Sequence, residues 1–124
     1  VGYEQIRRWH VNERGWKDIG YHYVVRRSGM VEVGRPETEI GAHTQGHNQD
    51  SLGICLVGTR IFTGFQYQSL TTLIKTIQVR YQIYTDEIYG HYEFNNAKTC
   101  PGLDMTLVRA FLDLATVYKF KPRI

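Results

Sequence analysis

The chain has 124 residues, 42% of them hydrophobic and 22% charged, with nine tyrosines and a formal net charge of +3. That balance predicts one folded domain with a real apolar core, and it excludes a disordered chain or a densely basic nucleic-acid binder. No apolar run approaches a membrane span and no secretory signal is read in it, while the mild positive charge would favour an anionic polymer.

Residues 3–10 read as a helix, with Ile6 and Trp9 or His10 at i, i+3, i+4 spacing and Tyr3 able to join the same face. Gly15 ends this helix or the turn after it. Residues 21–27 and 30–33 bracket Ser28-Gly29, which predicts a tight hairpin. Gly20, just ahead of Tyr21, permits close backbone approach. The polar, histidine-rich stretch 41–50 reads as a long loop. Residues 51–57 are almost wholly apolar and predict a central strand buried on both faces.

Leu70, Leu73, Ile74, Ile77 and Tyr81 carry the best helical period in the chain, with Lys75, Gln78 and Arg80 toward solvent. A short strand or extended segment over 87–89 would deliver His91 to a rim. A closing helix runs from 106 to about 118, with Val108, Phe111, Leu112 and Ala115 inward. This order of elements predicts an α/β fold, a central mixed β-sheet flanked by helices.

The chemistry concentrates in 91–102, where His91, Lys98 and Cys100 offer an imidazole, an ammonium and a thiolate within one turn-rich segment. Imidazole and thiolate suit zinc. Lys98 would stabilise negative charge on a carbonyl oxygen, and Tyr21 would position a water or help move a proton, which makes amide hydrolysis the natural reaction class. Each has an ordinary alternative: a polar rim histidine, a structural cysteine, a tyrosine packing the hairpin. His22, next to Tyr21, should face the other way, as a core histidine or one supporting the site. His43, His47 and Asn48 would hydrogen-bond a sugar or peptide ligand, or form a plain surface loop. Arg7, Arg8, Arg26 and Arg27 read as solvated charges, and Cys55 as a small core residue. The two cysteines leave one disulfide open, but nothing resembles a disulfide scaffold.

The stretches Ile6-Arg7-Arg8-Trp9-His10, Gly15-Trp16-Lys17-Asp18-Ile19-Gly20-Tyr21-His22-Tyr23, Gly41-Ala42-His43 with Gly46-His47-Asn48, Ser51-Leu52-Gly53-Ile54, and His91 followed by Lys98-Thr99-Cys100-Pro101-Gly102 carry a further signal. Together and in this order they resemble the zinc-dependent N-acetylmuramoyl-L-alanine amidases of the phage lysozyme type, whose fold is shared with peptidoglycan recognition proteins. The resemblance implies zinc-dependent cleavage of the amide bond between N-acetylmuramic acid and L-alanine in peptidoglycan. It also implies a monomer with no nucleic-acid partner, made in the host cytoplasm and acting on the bacterial cell wall or periplasm at lysis. By similarity, His91 and Cys100 match the second and third zinc ligands, Tyr21 the catalytic tyrosine and Lys98 the lysine supporting the transition state. His43 and Asn48 fall on the loop lining the substrate groove.

The family carries its first zinc-binding histidine on a strand upstream of the helix that holds Trp9, and these 124 residues contain no counterpart of that strand. The expectation is one amidase domain over 1–124 that lacks its N-terminal strand, with an incomplete chain favoured over a naturally inactive one. Two other readings stand beside it. A noncatalytic peptidoglycan-binding module is opposed by the presence of Cys100, and a polymerase-inhibiting regulatory protein has no sequence signal of its own.

Overall fold

A computed structural model of the chain describes residues 1–58 and 61–94, together with Met105, Thr106, Val108, Arg109 and Leu112. These fall in two compact units, Val1–Leu70 and Thr71–Ile124.

In the first unit, α1 (Tyr3–Arg8) begins after an extended Gly2. Its first amide is satisfied from a distant element: Tyr3 N–H donates to Glu32 Oε1 at 2.9 Å. Glu4 in the first turn and Arg7 and Arg8 in the last complement the helix dipole. The helix then widens into a π-helical turn over Trp9–Glu13. An i, i+3, i+4 rule does not hold across such a turn, because each turn carries an extra residue. Ile6 is buried as expected, and of the two alternatives for the same face Trp9 is 48% exposed while His10 packs on Trp16 and Tyr21.

The hairpin forms at the expected place. β1 (Tyr23–Val25) and β2 (Val31–Val33) pair antiparallel with Val24 opposite Glu32. Arg26 N–H donates to Met30 O and Gly29 N–H to Arg26 O, both at 2.8 Å. Gly29 sits at φ +90°, a left-handed conformation that a tight turn takes most readily with glycine. β3 (Ile54–Leu56) joins β1 in parallel. The sheet order is β2-β1-β3, so β1 occupies the middle and β3 does not hold the central place expected of it. Ile54 and Cys55 are half-buried rather than enclosed. An apolar run reports how much of a strand is covered, not which strands flank it.

Glu32, Val24 and Cys55 share one cross-strand row. On it Val24 packs with Ile6 and Ile19, and Tyr21, Cys55 and Val57 lie against this cluster. α2 (Gly64–Tyr81) is started by a reciprocal cap: Thr63 N–H donates to Gln66 Oε1 at 2.9 Å, and Gln66 N–H to Thr63 Oγ1 at 3.1 Å. The Gln66 amide, fully buried, also donates to Val57 O at 2.8 Å and Val25 O at 3.4 Å. One side chain thus closes the helix start and ties it to the ends of two strands.

In the second unit the rest of α2 buries Ile74 and Ile77, while Tyr81 is 48% exposed and off the predicted face. Beyond Tyr81 the chain turns through Gln82, which takes φ +56°. The strand expected over 87–89 is replaced by a 3-10 turn, Thr85–Glu87, followed by extended Ile88. Extended character was read correctly, but a strand needs a neighbour to pair with. His91 follows on a second 3-10 turn, His91–Glu93. Met105, Thr106, Val108, Arg109 and Leu112 are helical, as the closing helix requires, and Met105 and Leu112 are buried. Phe111 and Ala115 lie outside the described residues.

Candidate active site

Tyr21 stands at the entrance to β1, half-buried, with the chain on both sides of it fastened. Its carbonyl accepts the Arg35 N–H at 3.0 Å, and the His22 carbonyl accepts the Gly34 N–H at 2.8 Å. The Arg35 side chain, 6% exposed, donates through Nε to Ile19 O and through Nη1 to Ile40 O, both at 2.6 Å. Nη2 reaches Asp18 O at 3.5 Å. A guanidinium suits this position because its planar fork can serve several carbonyls at once. On the other side, Gly20 N–H donates to His10 Nδ1 at 2.8 Å and Gly20 O accepts Ala42 N–H at 2.9 Å. A Cβ on Gly20 would overlap the Ala42 carbonyl oxygen and come within 2.9 Å of Trp16 Cζ3. The close approach read from Gly20 in the sequence is therefore to the loop at Ala42.

His22 is a core histidine, 1% exposed. Gly53 N–H donates to Nδ1 at 3.0 Å, and Nε2 is 2.7 Å from Glu39 O. An amide can only donate, so Nδ1 is the acceptor and Nε2 carries the proton toward Glu39. Both ring nitrogens are engaged in structure. His43 stacks edge-on against His22, with ring centroids 5.6 Å apart. It lies in a slot bordered by Gly41 and Gly53, where a Cβ on either glycine would meet its ring. Asn48 Oδ1 accepts the amides of His43 and Thr44, each at 2.8 Å. Its carbonyl oxygen therefore shapes the loop that presents His43. The Ala42–Gly20 bond sets this loop beside Tyr21.

His10 packs against Trp16 at 4.6 Å and Tyr21 at 5.7 Å between ring centroids. Burial, with the nearby Arg14 and Arg35 cations, holds its pKa below the ordinary 6.5. The sign follows from which state takes the proton first. As pH falls below 6.5 the unfolded chain protonates His10 before the folded chain does, so this stabilisation is present above 6.5 and is lost as pH falls through the lower folded value. The expected result is an acid-side loss of unfolding free energy in denaturant titrations, reduced in His10→Asn; identical pH slopes for the two proteins would refute it.

In the second unit His91 is half-exposed on a strongly tied turn. Glu93 Oε1 accepts Gly90 N–H at 2.7 Å. Arg109 grips the same carboxylate with two bonds of 2.9 and 3.0 Å and donates to Ile88 O at 2.7 Å. The Arg109 bond holds the Glu93 carboxyl below its usual range, against burial and with help from the Gly90 amide. Met105 N–H donates to Tyr92 OH at 3.1 Å, so the closing helix is fastened to the His91 turn at two places. Lys98 and Cys100 lie outside the described residues. Among the described residues no three of His, Cys, Asp and Glu converge on a common ion. By donor type the pair His91 and Cys100 fits zinc, since neutral imidazole and thiolate are its usual ligands.

Sequence reasoning passed over Arg35, the Glu93–Arg109 pair and His10. An arginine in Gly34-Arg35-Pro36 gives no hint that it will be buried. His10 reads in the sequence only as an alternative to Trp9 on the first helix's apolar face, and nothing there marks the Gly20 amide as its partner.

The fold matches solved structures of two related kinds. The N-acetylmuramoyl-L-alanine amidase LysC from Clostridium intestinale superposes with a TM-score of 0.83 at 30% identity, over 91% of this chain and 76% of that one. Peptidoglycan recognition protein SA of Apis mellifera superposes with a TM-score of 0.73 at 26% identity, over 81% and 62%. The architecture is thus the mixed α/β fold common to amidases and peptidoglycan recognition proteins. In sequence, the endolysin of Escherichia phage T7 is 40% identical over 113 residues, covering 85% of this chain and 72% of that protein. The N-acetylmuramoyl-L-alanine amidase family profile matches residues 2–103, and the chain belongs to that family.

Proposed function

We infer that the chain hydrolyses the amide bond between the lactyl group of N-acetylmuramic acid and the L-alanine of the stem peptide in bacterial peptidoglycan. The family match over 2–103 carries this reading, and the 40% identity to a phage endolysin supports it. Because the match runs through both compact units, residues 1–124 are read as a single amidase domain. An endolysin of this kind would be made in the host cytoplasm and act on the wall at lysis. Among the described residues no helix is long and apolar enough to cross a membrane.

His91 and Cys100 are the residues proposed to hold zinc. When bound, zinc would supply Lewis acidity to the scissile carbonyl and lower the pKa of the attacking water. Tyr21, locked at the backbone on both sides, orients that water or passes a proton through its phenol. Lys98 offsets the negative charge that grows on the carbonyl oxygen. His43 lines the groove for the stem peptide or sugar, and Asn48 supports it by holding the loop.

The test is release of new L-alanine amino termini from purified peptidoglycan by the zinc-supplemented chain. Tyr21→Phe and Lys98→Ala should each keep zinc and lower turnover by on the order of a hundredfold, and Cys100→Ser should lose both zinc and activity. A Tyr21→Phe protein that cleaves at the unaltered rate removes Tyr21 from the mechanism. Absence of new amino termini with an unaltered chain shown to carry bound zinc refutes the amidase reading.

A further inference from the structure

We propose that His10 is a positioning residue for Tyr21: its neutral imidazole anchors the Gly20 amide and, wedged between the Trp16 and Tyr21 rings, sets where the tyrosine stands. The inference rests on the catalytic reading of Tyr21 and deepens it.

Three observations converge on the ring. Gly20 N–H, the amide immediately before Tyr21, donates to Nδ1 at 2.8 Å. Since an amide only donates, Nδ1 is unprotonated and Nε2 carries the ring proton. Trp16 and Tyr21 pack against the imidazole, with centroids 4.6 and 5.7 Å away. The backbone of His10 is committed as well, because its carbonyl accepts Trp16 N–H at 3.1 Å. His10 lies inside the π-helical turn Trp9–Glu13, and turns of this kind recur where a helix must aim a side chain away from its regular register.

The charged groups acting on the ring are Arg14 on its own segment and Arg35 from the chain after β2, both of which oppose a positive imidazole. Arg14 is itself placed over the Trp16 ring, 5.3 Å from its centroid. Arg35 also ties down Tyr21 O and Ile19 O, so it grips both ends of the segment 19–21 while His10 holds the amide between them. Protonating His10 would convert Nδ1 from acceptor to donor, set two donors face to face and release the Gly20 amide at the middle of that segment. Acid would then disable Tyr21 without any change in the tyrosine itself.

The first arm uses the unmodified chain. In nitrogen-15 NMR the His10 Nδ1 should appear as the unprotonated ring nitrogen, and the Gly20 amide shift should follow the His10 titration. A protonated Nδ1, or a Gly20 amide indifferent to that titration, overturns the proposal. The second arm compares His10→Asn, whose Oδ1 can replace the Nδ1 acceptor and cannot be protonated, with His10→Leu, which offers no acceptor. His10→Leu should lower kcat on peptidoglycan by on the order of tenfold to a hundredfold with KM and zinc content little changed, the usual scale for a misplaced catalytic group. His10→Asn should recover most of kcat and flatten the acid limb of the pH profile. Equal kcat in all three proteins, or an unchanged acid limb in His10→Asn, overturns it. If the unmodified chain, shown to carry bound zinc, cleaves no peptidoglycan, the amidase reading fails and takes the catalytic part of the proposal with it. The NMR arm would still decide whether His10 holds Gly20.

Discussion

Arg35→Leu is expected to lower the unfolding free energy of the chain by about 1–3 kcal/mol, because it strips the donor from the buried Ile19 carbonyl and puts nothing in its place. The guanidinium serves Ile19 O and Ile40 O at 2.6 Å and Asp18 O at 3.5 Å while remaining 6% exposed. A leucine fills much of the same volume, so lost packing is the smaller part of the effect. The Ile19 acceptor, left buried without a partner, costs about 1–3 kcal/mol, while the part-buried Ile40 and Asp18 carbonyls can turn to water. Arg35→Lys should fall between, since one ammonium cannot reach the same acceptors in a fork. Urea titration of the three proteins measures this directly. If Arg35→Leu unfolds at the unaltered midpoint, the carbonyls are satisfied some other way and the clamp at Tyr21 is not built as described.

Gly20→Ala carries the second large effect, on activity before stability. The new methyl would overlap the Ala42 carbonyl oxygen and crowd Trp16. Ala42 is main chain, and its amide is already bonded to Gly20 O at 2.9 Å, so neither side can yield without breaking that bond. Overpacking of this kind costs about 1–3 kcal/mol. The segment must then shift, and Tyr21 is the next residue. Displacing a catalytic group by about 1 Å can lower the rate on the order of a hundredfold, so activity should collapse in a protein that still folds. Peptidoglycan cleavage compared with thermal unfolding separates the two. Full activity in Gly20→Ala would mean that the approach to Ala42 is dispensable for the site.

The sequence alone was sufficient wherever a signal is local. Ser28-Gly29 placed the hairpin, which forms between Val25 and Val31. The spacing of Ile74 and Ile77 identified a helix that buries both. Gly20 announced a close approach, which falls on Ala42. The ordered motifs pointed to the amidase family to which the chain belongs.

Tertiary structure decided what depends on partners distant in the chain. β1 became the central strand because β2 and β3 pair on either side of it, a choice that an apolar run does not encode. His10 rather than Trp9 turned inward, because Trp16 and Tyr21 come to lie on its side of the helix. Asn48 turned inward to two loop amides, Arg35 closed on carbonyls up to 17 residues away, and His10 met an amide 10 residues on. Periodicity and propensity are properties of neighbours along the chain. A hydrogen bond from a buried side chain is set by whichever backbone group the folded core leaves within reach, and that exists only once the core has formed.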